Sequence, residues 1–323
     1  MIRIPQERQD ETKMNVSRNN IRTWCAVCLA FVLAVVPFGQ TKANVELLDE
    51  IRVSLFIKER GTVPSVTLQA EGGLEIGTGA DGQFRSWKKH SSDSPVRFSL
   101  DQYRIVLADH LEKEAAVQMA TQARTAVGSG EVYISIQQGQ NAYKVIAAGF
   151  SSSKEANSAL DALKQWADHA KITGPHYLTA GTYASEAEAE AKRQELLSNG
   201  IDAELAVHHA GETTNYSVWI GQAASETDLD AVRENAVSLM PSLTLEAADV
   251  NQPYAILEEE MLPGGTTAQR LRVGANGQAV QVKSLGGYIK VDERFGRSYR
   301  GIMELLAHDG ALAVINRLPF GHY

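Results

Sequence analysis

The sequence predicts an α+β fold in which two copies of a β-α-β-β-α-β unit, with antiparallel-rich sheets, lie between β-rich segments. The first observation is a repeat: a shift of 73 positions, which takes Tyr103 to His176, places the strand-like segments of residues 103–163 on a second set without a gap. The second is the alternation of apolar and polar residues in the flanking segments, which is typical of strands. A repeat of this length indicates a duplicated module, and such duplication is more typical of binding than of catalysis.

Residues 1–43 are predicted to be a secretion signal. Arg18 and Arg22 precede an apolar run at residues 24–36, and small residues at positions 41 and 43 precede a cleavage position before Asn44. The apolar run is about a dozen residues long, whereas a membrane-spanning helix needs about 20. We therefore expect an exported protein. An uncleaved amino-terminal anchor is the alternative.

The charge of the chain argues against a nucleic-acid partner. The net charge is −8, and residues 1–43 contribute six basic and three acidic residues, so the remainder carries −11. A surface of this sign repels phosphate backbones. The acidic run Glu258-Glu259-Glu260 is expected to be a solvated part of that surface.

Neither a metal site nor a cofactor is predicted, and no catalytic residue is identified. Cys25 and Cys28 lie within the apolar run of the signal without polar ligands around them, so cleavage would leave a chain without cysteine. His208 and His209 end a predicted strand, but no third ligand accompanies them at metal-binding spacing.

Four parts are predicted after the signal. A small β segment at residues 49–98, too short to close a core alone, is followed by a first unit at 101–172, a second unit at 174–248 and a β-rich fragment at 252–323. The helices of the first unit are expected at residues 110–126 and 152–167, the second of them opened by an S-x-x-E capping box.

In the second unit a capping box at Ser185 begins a helix that should stop at Gly200, and Ser225 caps the next helix. The strands predicted for this unit are residues 176–183, 203–208, 216–221 and 243–245.

The second unit resembles a known family. Residues 177–183 (YLTAGTY), the Ala/Glu-rich helix and residues 216–221 (YSVWIG) are similar to the SPOR domain, a peptidoglycan-binding module of bacterial cell-division and sporulation proteins. The resemblance implies a ferredoxin-like fold and a ligand of glycan strands, in particular strands that lack peptide stems. The first unit departs from the pattern, with Ala108 and Ala148 at positions where the family usually has glycine, and is identified as a degenerate SPOR-like repeat.

The flanks resemble a second family. Residues 51–57, 62–68, 299–304 and 312–323 are similar to the amino-terminal half of the SpoIID/LytB family (stage II sporulation protein D and amidase enhancer). In that family the glutamate implicated in glycan-strand cleavage lies beyond the position of Tyr323. The resemblance therefore implies a truncated domain at 252–323, in a chain that is a fragment, and it transfers no catalytic residue.

Strand alternation indicates a candidate glycan platform on the second unit. If Leu178 points toward the helices, its neighbours Tyr177 and Thr179 lie on the opposite face of the sheet. Aromatic rings pack on the apolar faces of sugars, and hydroxyl groups hydrogen-bond to them. The predicted ligand-binding residues on this open face are Tyr177, Thr179, Ser217 and Trp219. The alternative is that Trp219 packs against the first unit or the small β segment.

The first unit carries different residues at the corresponding positions. These are Arg104, Val106, Lys144 and Ile146. Two aliphatic side chains among four are more typical of a packing interface than of a sugar platform.

The predicted function is therefore peptidoglycan binding by an exported protein, in sporulation or cell-wall remodelling. Its expected partners are glycan strands and envelope proteins of the wall-hydrolase machinery. One alternative is the recognition half of a lytic transglycosylase or amidase activator whose catalytic part lies beyond Tyr323. Another is a structural module that binds envelope proteins.

Overall fold

The computed structural model of the protein describes residues 50–56, 62–80, 83–90, 93–137, 140–210, 213–248, 256–262, 266–274 and 279–319. Within these ranges the chain forms four α-helices and mostly antiparallel sheets, which is an α+β architecture. The predicted signal at residues 1–43 lies outside the described residues, as do the side chains of His208 and His209.

Seven strands from the two flanks form one antiparallel sheet. They are β1 (Glu50–Ser54), β2 (Thr62–Val63), β4 (Leu74–Ala80), β5 (Gln83–His90), β17 (Val280–Ser284), β20 (Ile302–His308) and β21 (Ala311–Pro319). Their order is β1-β21-β20-β17-β4-β5, with β2 also paired to β21. In this sheet β17 lies between β4 and β20, so Val280 is opposite Thr78 on one side and Leu305 on the other. Strands from the small β segment thus complete their sheet with strands some 200 residues later in the chain.

The first unit has the order β-α-β-β-α-β. Its elements are β7 (Tyr103–Leu111), α1 (Lys113–Val127), β8 (Glu131–Gln137), β9 (Gln140–Phe150), α2 (Ser153–Leu163) and β10 (Lys171–Thr173). The strands lie in the order β10-β7-β9-β8, and every neighbouring pair is antiparallel. One face of this sheet packs against the two helices through a core that includes Ile105, Val145 and Leu160.

The second unit has the same order of elements. They are β11 (His176–Tyr183), α3 (Glu186–Ser198), β12 (Ala203–Ala210), β13 (Thr213–Ala223), α4 (Glu226–Leu239) and β14 (Glu246–Ala247). The strand order β14-β11-β13-β12 corresponds to that of the first unit. Leu178 and Ile220 face the helices, and their core is continuous with that of the flanking strands.

The capping boxes confirm three of the predicted helix starts. The hydroxyls of Ser152, Ser185 and Ser225 each accept a hydrogen bond from the backbone three residues later. As predicted, α3 ends just before Gly200, whose φ of 79° is in the left-handed region that glycine favours.

Several predicted boundaries are wrong by a few residues. Helix α2 ends at Leu163 rather than at residue 167, and β13 spans Thr213–Ala223 rather than residues 216–221. Helix α1 begins at Lys113 rather than at residue 110, because β7 continues through Leu111 and His110 has a left-handed φ of 59° that no helix accepts. The last strand of the second unit is β14 at Glu246–Ala247 instead of residues 243–245.

The strands of both units belong to a second, larger sheet. A pair of strands near the middle of this sheet joins the units to the flanks. This sheet also contains β3 (Ser65–Gln69), β6 (Val96–Leu100), β15 (Ile256–Leu262), β16 (Thr266–Gly274), β18 (Ile289–Val291) and β19 (Arg297–Tyr299). One edge of β16 pairs with β15. Parallel pairings also join the start of β16 to β8 and its end to β12, so β16 contacts both units.

Candidate functional site

The four residues predicted to form a platform lie together on β11 and β13. Thr179 is directly opposite Trp219 in the strand register, and Ser217 is opposite Thr182. The Ser217 and Thr182 hydroxyls lie 2.8 Å apart and hydrogen-bond to each other, and the Thr179 hydroxyl donates to the Gly181 carbonyl at 3.3 Å. The structure therefore brings the four side chains onto the face of the sheet that the helices do not cover.

The centre of this face is an aromatic pair. The rings of Tyr177 and Trp219 stack with centroids 5.0 Å apart and planes inclined by 25°. Together with Ala206 and Ala248 they form a small apolar cluster that is separate from the main core. Offset stacking of this kind stabilises a fold beyond the area that it buries.

The prediction that this face is open is wrong. The exposed fractions are 2% for Tyr177, 4% for Ser217 and 5% for Trp219, and Thr179 is half-buried. Alternation shows which residues share a face, but it does not show what covers them. The structure instead agrees with the alternative that Trp219 is packed, and glycan binding by these four residues stays a prediction.

Part of the covering surface comes from the first unit. The Tyr177 hydroxyl donates to the Asp101 carboxylate at 3.1 to 3.2 Å and accepts from the Gln222 amide at 3.2 Å. Asp101 lies just before β7 and is 3.6 Å from the Arg104 guanidinium, and both side chains are 3% exposed. A buried tyrosine thus has its hydroxyl satisfied by a buried acid of the neighbouring unit.

The corresponding face of the first unit is also partly buried, in agreement with its predicted packing role. Arg104 is 3% exposed and Ile146 is 1% exposed, while Val106 and Lys144 are half-buried. The Lys144 ammonium lies 3.1 Å from Asp109 and 3.7 Å from Asp202, which belongs to the second unit. Contacts from Asp101 and Lys144 therefore connect the helix-free face of the first unit to the second.

Two residues of the acidic run at 258–260 do not belong to the solvated surface that its composition suggests. Glu258 and Glu259 are each 1% exposed on β15. Glu258 pairs with His90 and, at 3.2 Å, with Lys88 on β5. Because these partners lie about 170 residues away in the chain, no local pattern in the sequence indicates the pairing.

Glu258 gives the protein a specific acid sensitivity. Its burial alone would raise the pKa of the carboxyl, but Lys88 and His90 outweigh burial and hold the pKa below its usual value of 4.5. A carboxyl with a lowered folded pKa stabilises the fold above its unfolded pKa, and this contribution is lost as pH falls through the folded pKa.

We expect Glu258→Gln to lower the free energy of unfolding by about 2 kcal/mol at pH 7, because hydrogen bonds to a charged group are replaced by neutral ones. The difference from the wild type should shrink as the pH is lowered below 4.5. Urea denaturation of both proteins between pH 7 and pH 3 measures this difference. A difference that is independent of pH would contradict the assigned ion pair.

No group of three or more His, Cys, Asp or Glu side chains within the described ranges is arranged to hold a metal ion. None of the described helices has both the length and the apolar character required to cross a membrane.

Comparison with known proteins identifies one part of the chain. Residues 173–240 match the SPOR domain family, over β11 through α4. No curated protein matches the chain.

Among solved structures, a match is found to a crystal structure described as that of a glycine cleavage system transcriptional repressor. It has 14% sequence identity, covers 50% of this chain and 99% of the other, and has a TM-score of 0.15. A TM-score this low supports no inference about fold or function. SPOR domains bind peptidoglycan and occur in cell-envelope proteins. The chain therefore contains a SPOR domain at residues 173–240, and this domain fits a cell-wall binding function.

Proposed function

We propose that this chain is an exported cell-envelope protein that binds the glycan strands of peptidoglycan through its SPOR domain. The observation that carries the proposal is the family match at residues 173–240. The strand order of the second unit supports it, because both helices pack on one face and the proposed contacts lie on the face that the helices do not cover. Residues 101–172 act as a degenerate repeat of the same module.

The proposed glycan contacts are Tyr177, Thr179, Ser217 and Trp219. Stacked aromatic rings offer a flat apolar surface of the kind that packs on a sugar ring. The hydroxyls of Thr179 and Ser217 border that surface and bond to groups of the same sheet, Gly181 and Thr182. Each of these hydroxyls can also form a hydrogen bond with a sugar hydroxyl, because a Ser or Thr hydroxyl has one donor and two acceptor positions.

We further propose that the flanks are the amino-terminal part of a SpoIID/LytB domain that acts in sporulation or cell-wall remodelling. The seven-stranded sheet supports this, because β1 and β4 from residues 49–98 pair with β21 and β17 from residues 252–323. The two segments that share the sequence resemblance thus belong to one structural unit, into which the two α+β units are inserted.

Co-sedimentation of the full chain with purified sacculi tests the proposed function. We expect the protein to pellet with sacculi in a saturable manner and to be released by soluble glycan strands. A chain that stays in the supernatant with sacculi, but is retained on immobilised envelope proteins, would support the structural-module alternative. Release of soluble glycan fragments by the chain would instead show that it is an enzyme.

A further inference from the structure

We propose that the first unit, residues 101–172, is a built-in cover that competes with glycan for the sheet face of the SPOR domain. This inference rests on the proposed function, and it concerns the regulation of the same site. In the structure three of the four proposed contacts, Tyr177, Ser217 and Trp219, are at most 5% exposed. A polymer cannot reach side chains that are buried to this extent, so the face must be uncovered before glycan binds.

The contact between the units is specific enough to act as a cover. Asp101 accepts the Tyr177 hydroxyl and also lies 3.6 Å from Arg104, so a charge pair of the first unit holds the aromatic stack of the second. Lys144 adds a second point of attachment at Asp202. Under the 73-residue shift Arg104 corresponds to Tyr177 and Ile146 to Trp219, and these equivalent positions are buried in both units.

The same contact has features that allow it to open. Arg104 Nη1 and Thr173 Oγ1, on residues that lie opposite each other on β7 and β10, are buried without a hydrogen-bond partner among the described residues. Unsatisfied buried polar atoms lower the stability of a contact. The Lys144 ammonium and the Asp202 carboxylate are 3.7 Å apart, and Asp202 is 79% exposed. Because water screens this ion pair, it only weakly stabilises the closed form, in which the first unit covers the sheet face.

Opening would be a hinge motion rather than a dissociation. Only Gly174 and Pro175 separate β10 of the first unit from β11 of the second. Strand β16 also pairs with β8 and β12, one strand of each unit. The cover therefore stays tethered beside the site, and the apparent affinity for glycan is reduced by the fraction of molecules that are closed.

A reversible cross-link across the contact tests the proposal. Lys144→Cys and Asp202→Cys are combined in the full chain, with Cys25→Ser and Cys28→Ser, and joined by a bismaleimide that contains a disulfide. We expect the cross-linked protein to bind sacculi at least about fivefold more weakly, because the competent fraction falls, and reduction of the linker to restore binding. Equal binding before and after reduction would overturn the proposal, whereas no binding by either form would reject the proposed function itself.

A matched cross-link controls for the reagent. Lys192→Cys and Glu195→Cys, at an ion-paired position on the helix α3, receive the same linker without joining the two units. This protein should bind sacculi equally well with and without reduction. If it too loses binding, the effect of the first cross-link comes from the modification and not from closure, which counts against the cover.

A variant that weakens the contact between the two units should bind sacculi more tightly, the opposite of the cross-linked protein. Asp101→Ala removes the acceptor of the Tyr177 hydroxyl, and we expect it to bind sacculi about threefold to tenfold more tightly because the open fraction rises. Asp161→Ala, an exposed acid on the helix α2 of the same unit, is the matched control and should not change binding. Unchanged binding by Asp101→Ala would contradict the cover.

Discussion

Arg97→Ala should lower the free energy of unfolding by about 3 to 5 kcal/mol, because it leaves the buried Glu259 carboxylate without its cation. Arg97 on β6 pairs with Glu259, which is 1% exposed, and with Glu131 at 2.5 Å. Burial disfavours the charged guanidinium, but the two carboxylates outweigh burial and raise the pKa of Arg97. The Tyr133 hydroxyl completes the network with a contact of 3.0 Å to Glu259.

The network joins the flank to the first unit, since β6 and β15 supply Arg97 and Glu259 while β8 supplies Glu131. Urea denaturation at pH 7 measures the effect. Arg233→Ala is the control, because its pair with Asp230 is exposed and worth less than about 1 kcal/mol. A loss for Arg97→Ala no larger than for Arg233→Ala would show that the network does not stabilise the fold.

Trp219→Ala should also cost about 3 to 5 kcal/mol, the range for truncation of a buried large aromatic side chain. The substitution removes one ring of the Tyr177 stack and leaves a cavity beside Ala206 and Ala248. Because the indole is also a proposed glycan contact, we expect sacculus binding to fall below detection. Thermal unfolding and co-sedimentation measure the two effects separately.

Trp219→Phe separates folding from binding, because it retains an aromatic ring in the stack. Most of the stability should return, with binding intermediate between the wild type and Trp219→Ala. Trp166→Ala, at a half-buried position after α2, is the control for the loss of an indole and should leave sacculus binding unchanged. Full sacculus binding by Trp219→Ala would show that Trp219 does not contact glycan.

Local sequence patterns predicted the second unit well because its signals are local. Ser185 and Ser225 cap its two helices, Gly200 follows the end of α3, and β11 has the predicted bounds. These features depend on hydrogen bonds between residues a few positions apart, which a short stretch of sequence determines. Helix α1 has no capping side chain at Glu112, and the prediction of its start was correspondingly less accurate.

Long-range contacts account for what the sequence did not predict. The acidic run at 258–260 looked solvated because its partners Lys88 and Arg97 come from strands far away in the chain. The platform residues share a face as alternation requires, yet Tyr177 is buried and bonded to Asp101 of the first unit, which alternation does not indicate. Tertiary packing determines which side chains form ion pairs and hydrogen bonds between units, and the sequence of a single strand does not indicate these partners.

The duplication has a structural consequence for binding. In the second unit Gly221 has a φ of 69°, whereas its counterpart in the first unit is Ala148, and the left-handed residue there is Gly149, with a φ of 88°. The residue with a left-handed φ is thus displaced by one position in the first unit rather than absent from it. Since the first unit also has Arg104 and Ile146 in place of Tyr177 and Trp219, its sheet face suits packing, and the proposed glycan site lies on the second unit.

We propose that the helix-free sheet face of the SPOR domain holds glycan. The affinity of the full chain for purified glycan strands without peptide stems is the measurement that tests this. Thr179→Val removes a hydroxyl at a half-buried position without a large change of volume, and Thr125→Val does the same on the exposed surface of α1. We predict that Thr179→Val binds these strands about three to ten times more weakly than the wild type, since one hydrogen bond contributes about 1 kcal/mol. Thr125→Val should match the wild type, and equal affinities for all three proteins would contradict the assignment of this face as the glycan site.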